Sequence, residues 1–183
     1  MKNLDFWFDY SCPYAYLAST QIEAVAARTG ARLCWRPMLL GGVFAARATP
    51  QNLAGTLSPA KARHQSADLA RYAALFGVPL RMPAEHPRRT VAALRATLAR
   101  RTDPAVIHAF YRAYWVEGRA IEDEAVVRSI AGDVDLAGQK EALRLATDEA
   151  IALGIFGAPT CVVDGELYWG QDRLHFVEAA LRS

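Results

Sequence analysis

Cysteine is scarce in this chain. Cys12, Cys34 and Cys161 are the three in 183 residues. An odd count without zinc-type spacing excludes a disulfide framework and a cysteine-built metal centre. Position 15, where a second cysteine would complete a C-x-x-C pair with Cys12, is alanine. No internal redox disulfide can form at that turn. A large charge of one sign is also missing: the net charge is +2, which gives no footprint for nucleic acid. No apolar run reaches the length of a membrane span. The opening MKNLDFWFDY has neither the apolar stretch nor the small-residue site of a signal peptide, so a cytoplasmic location is expected. His64, His86, His108 and His175 are scattered, without ligand spacing, and predict no metal site. There is no repeat and no low-complexity segment.

What is present is apolar residues, 52% of the chain, enough to bury the core of one domain spanning 1–183. Residues 3–9 (NLDFWFD) read as a short, aromatic-rich buried strand. Pro13 suits a first helical position, with Ser11 or Cys12 as the cap. Tyr14, Ala18, Ile22 and Val25 recur at helical spacing and Gly30 ends the run. Residues 32–37 (RLCWRP) form a second strand, making a right-handed βαβ unit. Cys34, inside that strand pattern, reads as a small hydrophobe.

The middle of the chain is helical. Residues 43–58 read as loop, Ser58-Pro59 opens a helix ending at Gly77, and 79–87 (PLRMPAEHP) should be extended. Further helices are expected from Thr90, from Asp103-Pro104, near 123–131 and over 139–153. Strand character returns at Thr160 to Val163, turns at Asp164-Gly165 and pairs back through Glu166 to Trp169. Gln171 to Leu181 reads as a last helix. The plan is βαβ, then helices, then ββα: a core of about 1–40 and 154–183 with an insertion of about 41–153.

The chemistry concentrates in "FDYSCPYAYL", residues 8–17. A thiol at a helix start meets unpaired N–H groups and the positive end of the dipole, and both should lower its pKa. Cys12 is then either a nucleophile itself, or part of a cradle for the sulfur of a ligand, aided by a hydrogen bond from Ser11 or Cys12. A second feature is "GIFGAPTCVVD" at 154–164, where Pro159 enters a strand, a place where cis bonds recur. A cis bond there would leave the polar backbone atoms beside it free to pair with an extended peptide. Cys161, two residues on, is expected to face the core.

Together these features resemble the thioredoxin superfamily in its DsbA-like form. Within it, five stretches resemble the 2-hydroxychromene-2-carboxylate isomerases and the related kappa-class glutathione transferases. They are "FWFDYSCPYAYLAS" (6–19), "RPMLLGGVF" (36–44), "PAKARHQSADLARYA" (59–73), the "HP..T..A.R" pattern (86–95) and "GIFGAPTCVVDGELYWGQDRL" (154–174). The resemblance implies an α/β thioredoxin-like fold with an all-helical insertion. It implies a glutathione-dependent isomerase that opens a ring and isomerises a conjugated aromatic carboxylate by reversible thiolate addition. A homodimer is implied as well.

The same resemblance assigns roles. Those relatives usually carry a serine where Cys12 stands, so Cys12, with Ser11 beside it, would orient the glutathione sulfur. The backbone of Ala158 and Pro159 would pair with the cysteinyl part of glutathione. Asp172 would take the γ-glutamyl ammonium, Gln171 the γ-glutamyl carboxylate, and Lys61 would sit near the carboxylates. Tyr14 and Arg36 are candidates for the aromatic acid. The loop asparagine common in the relatives is out of register here, at Asn52. Rival readings are a kappa-like transferase or peroxidase, a monothiol oxidoreductase using Cys12, and a non-catalytic module binding extended peptides at Pro159.

Overall fold

β1 (Asn3–Phe8) lies inside a four-stranded sheet of order β2-β1-β3-β4. The computed structural model describes residues 1–183. β2 (Arg32–Pro37) pairs with β1 in parallel, Asn3 opposite Arg32. β3 (Thr160–Val163) pairs with β1 antiparallel, Asp5 opposite Val162, and β4 (Glu166–Trp169) closes a hairpin with β3. The two ends of the chain therefore build one sheet. β1 is central because Leu4, Phe6, Trp7 and Phe8 are all buried, leaving no face for water.

α1 (Pro13–Thr29) begins after Cys12, which adopts the extended conformation of a cap, and Pro13 lacks only an N–H that the first turn leaves unpaired. Gly30 ends it at φ 67°, its N–H turned back to the carbonyls of Ala26 and Ala27. α3 (Pro59–Phe76) opens on the Ser58 hydroxyl, which accepts the Lys61 N–H at 3.4 Å. The other helices are α2 (Leu40–Ala46), α4 (Val91–Ala99), α5 (Pro104–Trp115), α6 (Glu124–Ala131), α7 (Lys140–Ala152) and α8 (Leu174–Arg182). α1 packs against α8, α3 and α5, while α7 and α4 lie along β2. Phe110, Tyr111, Tyr114 and Trp115 of α5 are buried. Tyr111 meets Phe8, Tyr10 and Tyr16, an aromatic seam joining sheet, α1 and the inserted helices.

Two expectations are corrected. Residues 43–46 belong to α2 and are not loop. The Leu39 N–H is taken by Thr147 Oγ1 at 3.0 Å and the Leu40 N–H by Asp9 Oδ2 at 2.8 Å, so side chains distant in sequence cap this helix. Its Gly41 allows close approach, since a Cβ there would stand 2.8 Å from Gln51 Oε1. The last helix is split: Gln171–Arg173 is a short 3-10 turn and α8 starts at Leu174. Besides Ala158–Pro159, the His86–Pro87 bond is cis.

Candidate active site

The turn between β1 and α1 is fixed from below by Asp9. Its Oδ1 accepts the Ser11 N–H at 3.0 Å and the Ser11 hydroxyl at 3.1 Å. Its backbone carbonyl accepts the Cys12 N–H at 3.2 Å. Ser11 therefore spends its hydroxyl proton on Asp9. Cys12 faces the other way: its thiol donates to the Ala158 carbonyl at 3.0 Å. The two candidate sulfur-orienting residues are separated by this geometry, and Cys12 is the one that meets the Ala158–Pro159 junction.

That junction is cis. The loop is braced on both sides of it. Thr160 Oγ1 donates to the Gly157 carbonyl at 2.8 Å, and the Pro159 carbonyl accepts the Gly170 N–H at 3.0 Å. The Pro159 carbonyl, expected to be free for a ligand, thus already accepts one bond inside the protein. Ala158 differs. Its amide N–H has no hydrogen-bond partner, and its carbonyl, with two lone pairs, carries only the Cys12 thiol. The residue is buried, so an unpaired N–H there is an exception to the usual satisfaction of backbone groups.

The electrostatics of Cys12 differ from expectation. Burial pushes its thiol up to about 12, against the lowering effect of the Ala15 and Tyr14 amides, and the Asp9 charge adds to the rise. The helix start does favour the thiolate, but a buried cysteine loses more by desolvation than it gains. Cys12 is a neutral hydrogen-bond donor at neutral pH. Cys161 is likewise pushed up to about 12 by burial and is inert.

The helix α3 and the turn at Gln171–Arg173 enclose the other side of the cleft. Burial raises the Tyr14 hydroxyl, the charges of Asp68 and Asp172 add to the rise, and the Gln65 amide opposes it. Tyr72 is raised by burial and then by Asp172, with the Gln171 amide opposing. Tyr14, Tyr72, Gln171 and Asp172 therefore converge. Gln171 is buried, while the Asp172 side chain keeps 37% of its surface and pairs with the adjacent Arg173. A cavity of about 320 Å³ runs on from here, lined by Tyr72, Phe76, Gln171, Asp172, Val25 and Gln21 among others.

Lys61 is exposed on the first turn of α3, and its side chain is in no ion pair. Arg36 lies on the sheet. By strand alternation it shares a sheet face with Asp5 and Trp7, opposite the Phe8 and Trp35 side that meets α5. Its Nε lies 2.9 Å from Asp5 Oδ1 and its guanidinium sits over Trp7, so it is spent on the sheet. Sequence reasoning missed Asp9, whose signal was an acid between an aromatic strand and a helix cap. It also missed Gln65 and Asp68, which with Tyr72 follow the 3–4 residue spacing of one helix face.

The comparisons with known proteins agree with this fold. The family model described as a DSBA-like thioredoxin domain matches residues 3–182. A 2-hydroxychromene-2-carboxylate isomerase of Sphingobium xenophagum is 35% identical, over 98% of this chain and 98% of its own. The glutathione S-transferase kappa 2 of Caenorhabditis elegans is 26% identical, over 94% of this chain and 88% of its own. A solved 2-hydroxychromene-2-carboxylate isomerase superposes with a TM-score of 0.82 at 27% identity, covering 97% of this chain and 93% of its own. Matched end to end by such relatives, the chain belongs to the 2-hydroxychromene-2-carboxylate isomerases, an isomerase branch of the DsbA-like thioredoxin family.

Proposed function

We propose that this isomerase works with glutathione, and that Cys12 serves it as a hydrogen-bond donor where the relatives usually carry serine. The observation that carries the reading is the Cys12 thiol itself. It is protonated, held 3.0 Å from the Ala158 carbonyl, and seated at a cis-proline junction whose Ala158 N–H is unpaired. The residues fit the tripeptide. Ala158 presents one free donor and one acceptor with spare capacity, the pattern an extended peptide pairs with. Asp172 offers a partly exposed carboxylate to an ammonium, Gln171 lies beside it, and the free Lys61 ammonium stands at the start of α3 for a carboxylate. The kappa-class relative is a glutathione transferase by name.

Glutathione, when bound, supplies a soft thiolate that adds reversibly to a conjugated carbon of the substrate. The chain's task is to hold that sulfur as an anion and orient it. Cys12 donates its S–H toward it, and the first-turn amides of α1 add their positive field. Tyr14, kept protonated by its surroundings, donates to the substrate carboxylate. The cleft between residues 1–40 with 154–183 and the inserted 41–153 keeps a flat aromatic acid out of bulk water. The substrate is a ring-fused aromatic carboxylate of the chromene type, opened and isomerised about a carbon–carbon double bond.

A monothiol oxidoreductase is disfavoured by the same sulfur, because a thiol pushed up to about 12 is almost entirely unreactive at pH 7. We read the enzyme as cytoplasmic and homodimeric. No helix is long and apolar enough to cross a membrane. The test is calorimetric titration with glutathione, followed by turnover of a chromene carboxylate with and without it. Binding together with glutathione-dependent turnover supports the reading. Full turnover in its absence overturns it.

A further inference from the structure

Two separate stretches of the chain meet at one buried carboxylate. Asp9 is 1% exposed. Its Oδ1 holds the Ser11 N–H and hydroxyl, at 3.0 and 3.1 Å. Its Oδ2 holds the Leu40 N–H at 2.8 Å, the first amide of α2. Leu40 opens α2, which leads into the inserted helices, and Ser11 is the residue before Cys12. One further backbone bond, Cys12 N–H to Asp9 carbonyl at 3.2 Å, closes the turn.

We propose that Asp9 is a positioning residue for the isomerase: by clamping Ser11 to α2, it aims the Cys12 thiol at the Ala158 carbonyl. Asp9 makes no hydrogen bond to the Cys12 sulfur, so it acts through the turn. A buried carboxylate is costly unless its lone pairs are filled, and here three donors from two segments fill them. Burial raises the Asp9 pKa while the Ser11 and Leu40 amides pull it back down. Such a group is better explained by what it holds in place than by stability, since an apolar residue would be easier to bury there. The clamp also fixes the seam between the two parts of the chain at the point where the cleft opens.

The inference rests on the proposed donor role of Cys12, but its test does not need glutathione. The probe is iodoacetamide, and the readout is the alkylation rate of the Cys12 peptide by mass spectrometry, which separates it from Cys34 and Cys161. In the intact protein Cys12 is pinned and 8% exposed, so alkylation is slow. Asp9→Asn removes charge and one acceptor. Asp9→Glu keeps the charge and displaces the carboxylate by one methylene. Both should speed Cys12 alkylation at least tenfold and lower kcat at least tenfold, with KM for the carboxylate changed less than threefold.

Were Asp9→Glu to alkylate at the wild-type rate while Asp9→Asn is fast, the effect would be charge alone and the clamp would be overturned. Wild-type rates in both would overturn it outright. Ser11→Ala keeps the Asp9 charge and removes the hydroxyl donor of its Oδ1, and decides the matter if Asp9→Glu does not fold. A rise of threefold or more supports the clamp, and no rise overturns it. A wild-type protein that binds no glutathione would sink the proposed function and leave these alkylation rates as the judge of Asp9.

Discussion

The Cys12 sulfur stands 3.0 Å from the Ala158 carbonyl oxygen, although 146 residues separate the two. On the proposed reading, this bond marks the sulfur as a donor. A protonated thiol that already donates to the ligand-facing carbonyl can redirect the same proton to an incoming sulfur. Serine would do this too. Cys12→Ser should keep kcat within about threefold, and Cys12→Ala should lose about tenfold or more, the value of one donor to a developing charge. Steady-state kinetics with a chromene carboxylate decide. Loss of all activity in Cys12→Ser would return the nucleophile role to the thiol.

Asp172 should act on affinity and not on chemistry. Its carboxylate is partly exposed and shared with Arg173, so its value for a bound ammonium is discounted by solvent. Asp172→Asn should weaken glutathione binding by about fivefold, near 1 kcal/mol. At saturating glutathione kcat should be unchanged. Calorimetry and a glutathione titration of turnover measure the two effects.

His86 gives the stability of the fold a pH dependence. Its ring is half-buried, and burial lowers its pKa below 6.5. Nδ1 lies 2.9 Å from the Tyr114 hydroxyl, which also accepts the Arg88 N–H at 2.9 Å. With Nδ1 accepting the phenolic proton, all three groups are satisfied in the neutral ring. Below pH 6.5 the unfolded chain binds a proton that the folded one resists, so stability falls as pH drops through 6.5 toward the lower folded value. His86→Gln should flatten that loss. Urea midpoints between about pH 7.5 and 5 test it.

Trp115 ties α5 to the turn. It is fully buried, and its Nε1 donates to the Tyr10 carbonyl at 2.8 Å. Trp115→Phe leaves that carbonyl unpaired and a void beside Tyr16 and Tyr114. Stability should fall by about 2–4 kcal/mol, read from denaturant unfolding.

Much of the fold was legible because its punctuation is local. Pro13 and Gly30 bound α1, Ser58 and Gly77 bound α3, and Asp164-Gly165 makes the hairpin turn. α2 was illegible because its caps, Asp9 and Thr147, come from elsewhere in the chain and its two glycines imitate a loop. The meeting of Cys12 with Ala158 and Pro159 was legible as a pair of motifs. The state of the sulfur was not, since a helix start is visible in the sequence and depth of burial is not. The surroundings of Arg36 were hidden for a similar reason. Only the strand register shows that Asp5 and Trp7 claim it.

β1 finds its partner β3 only after the whole inserted segment has been made. Asp5 waits for Val162 and Trp7 for Thr160. While the ribosome works through the helices, Phe6, Trp7 and Phe8 have an unpaired edge on one side, a sticky surface on a nascent chain. Non-local pairing of this kind slows folding. The Cys12 thiol likewise meets its carbonyl only after Ala158 has been made, so a fragment released before that point would bear Cys12 without its partner.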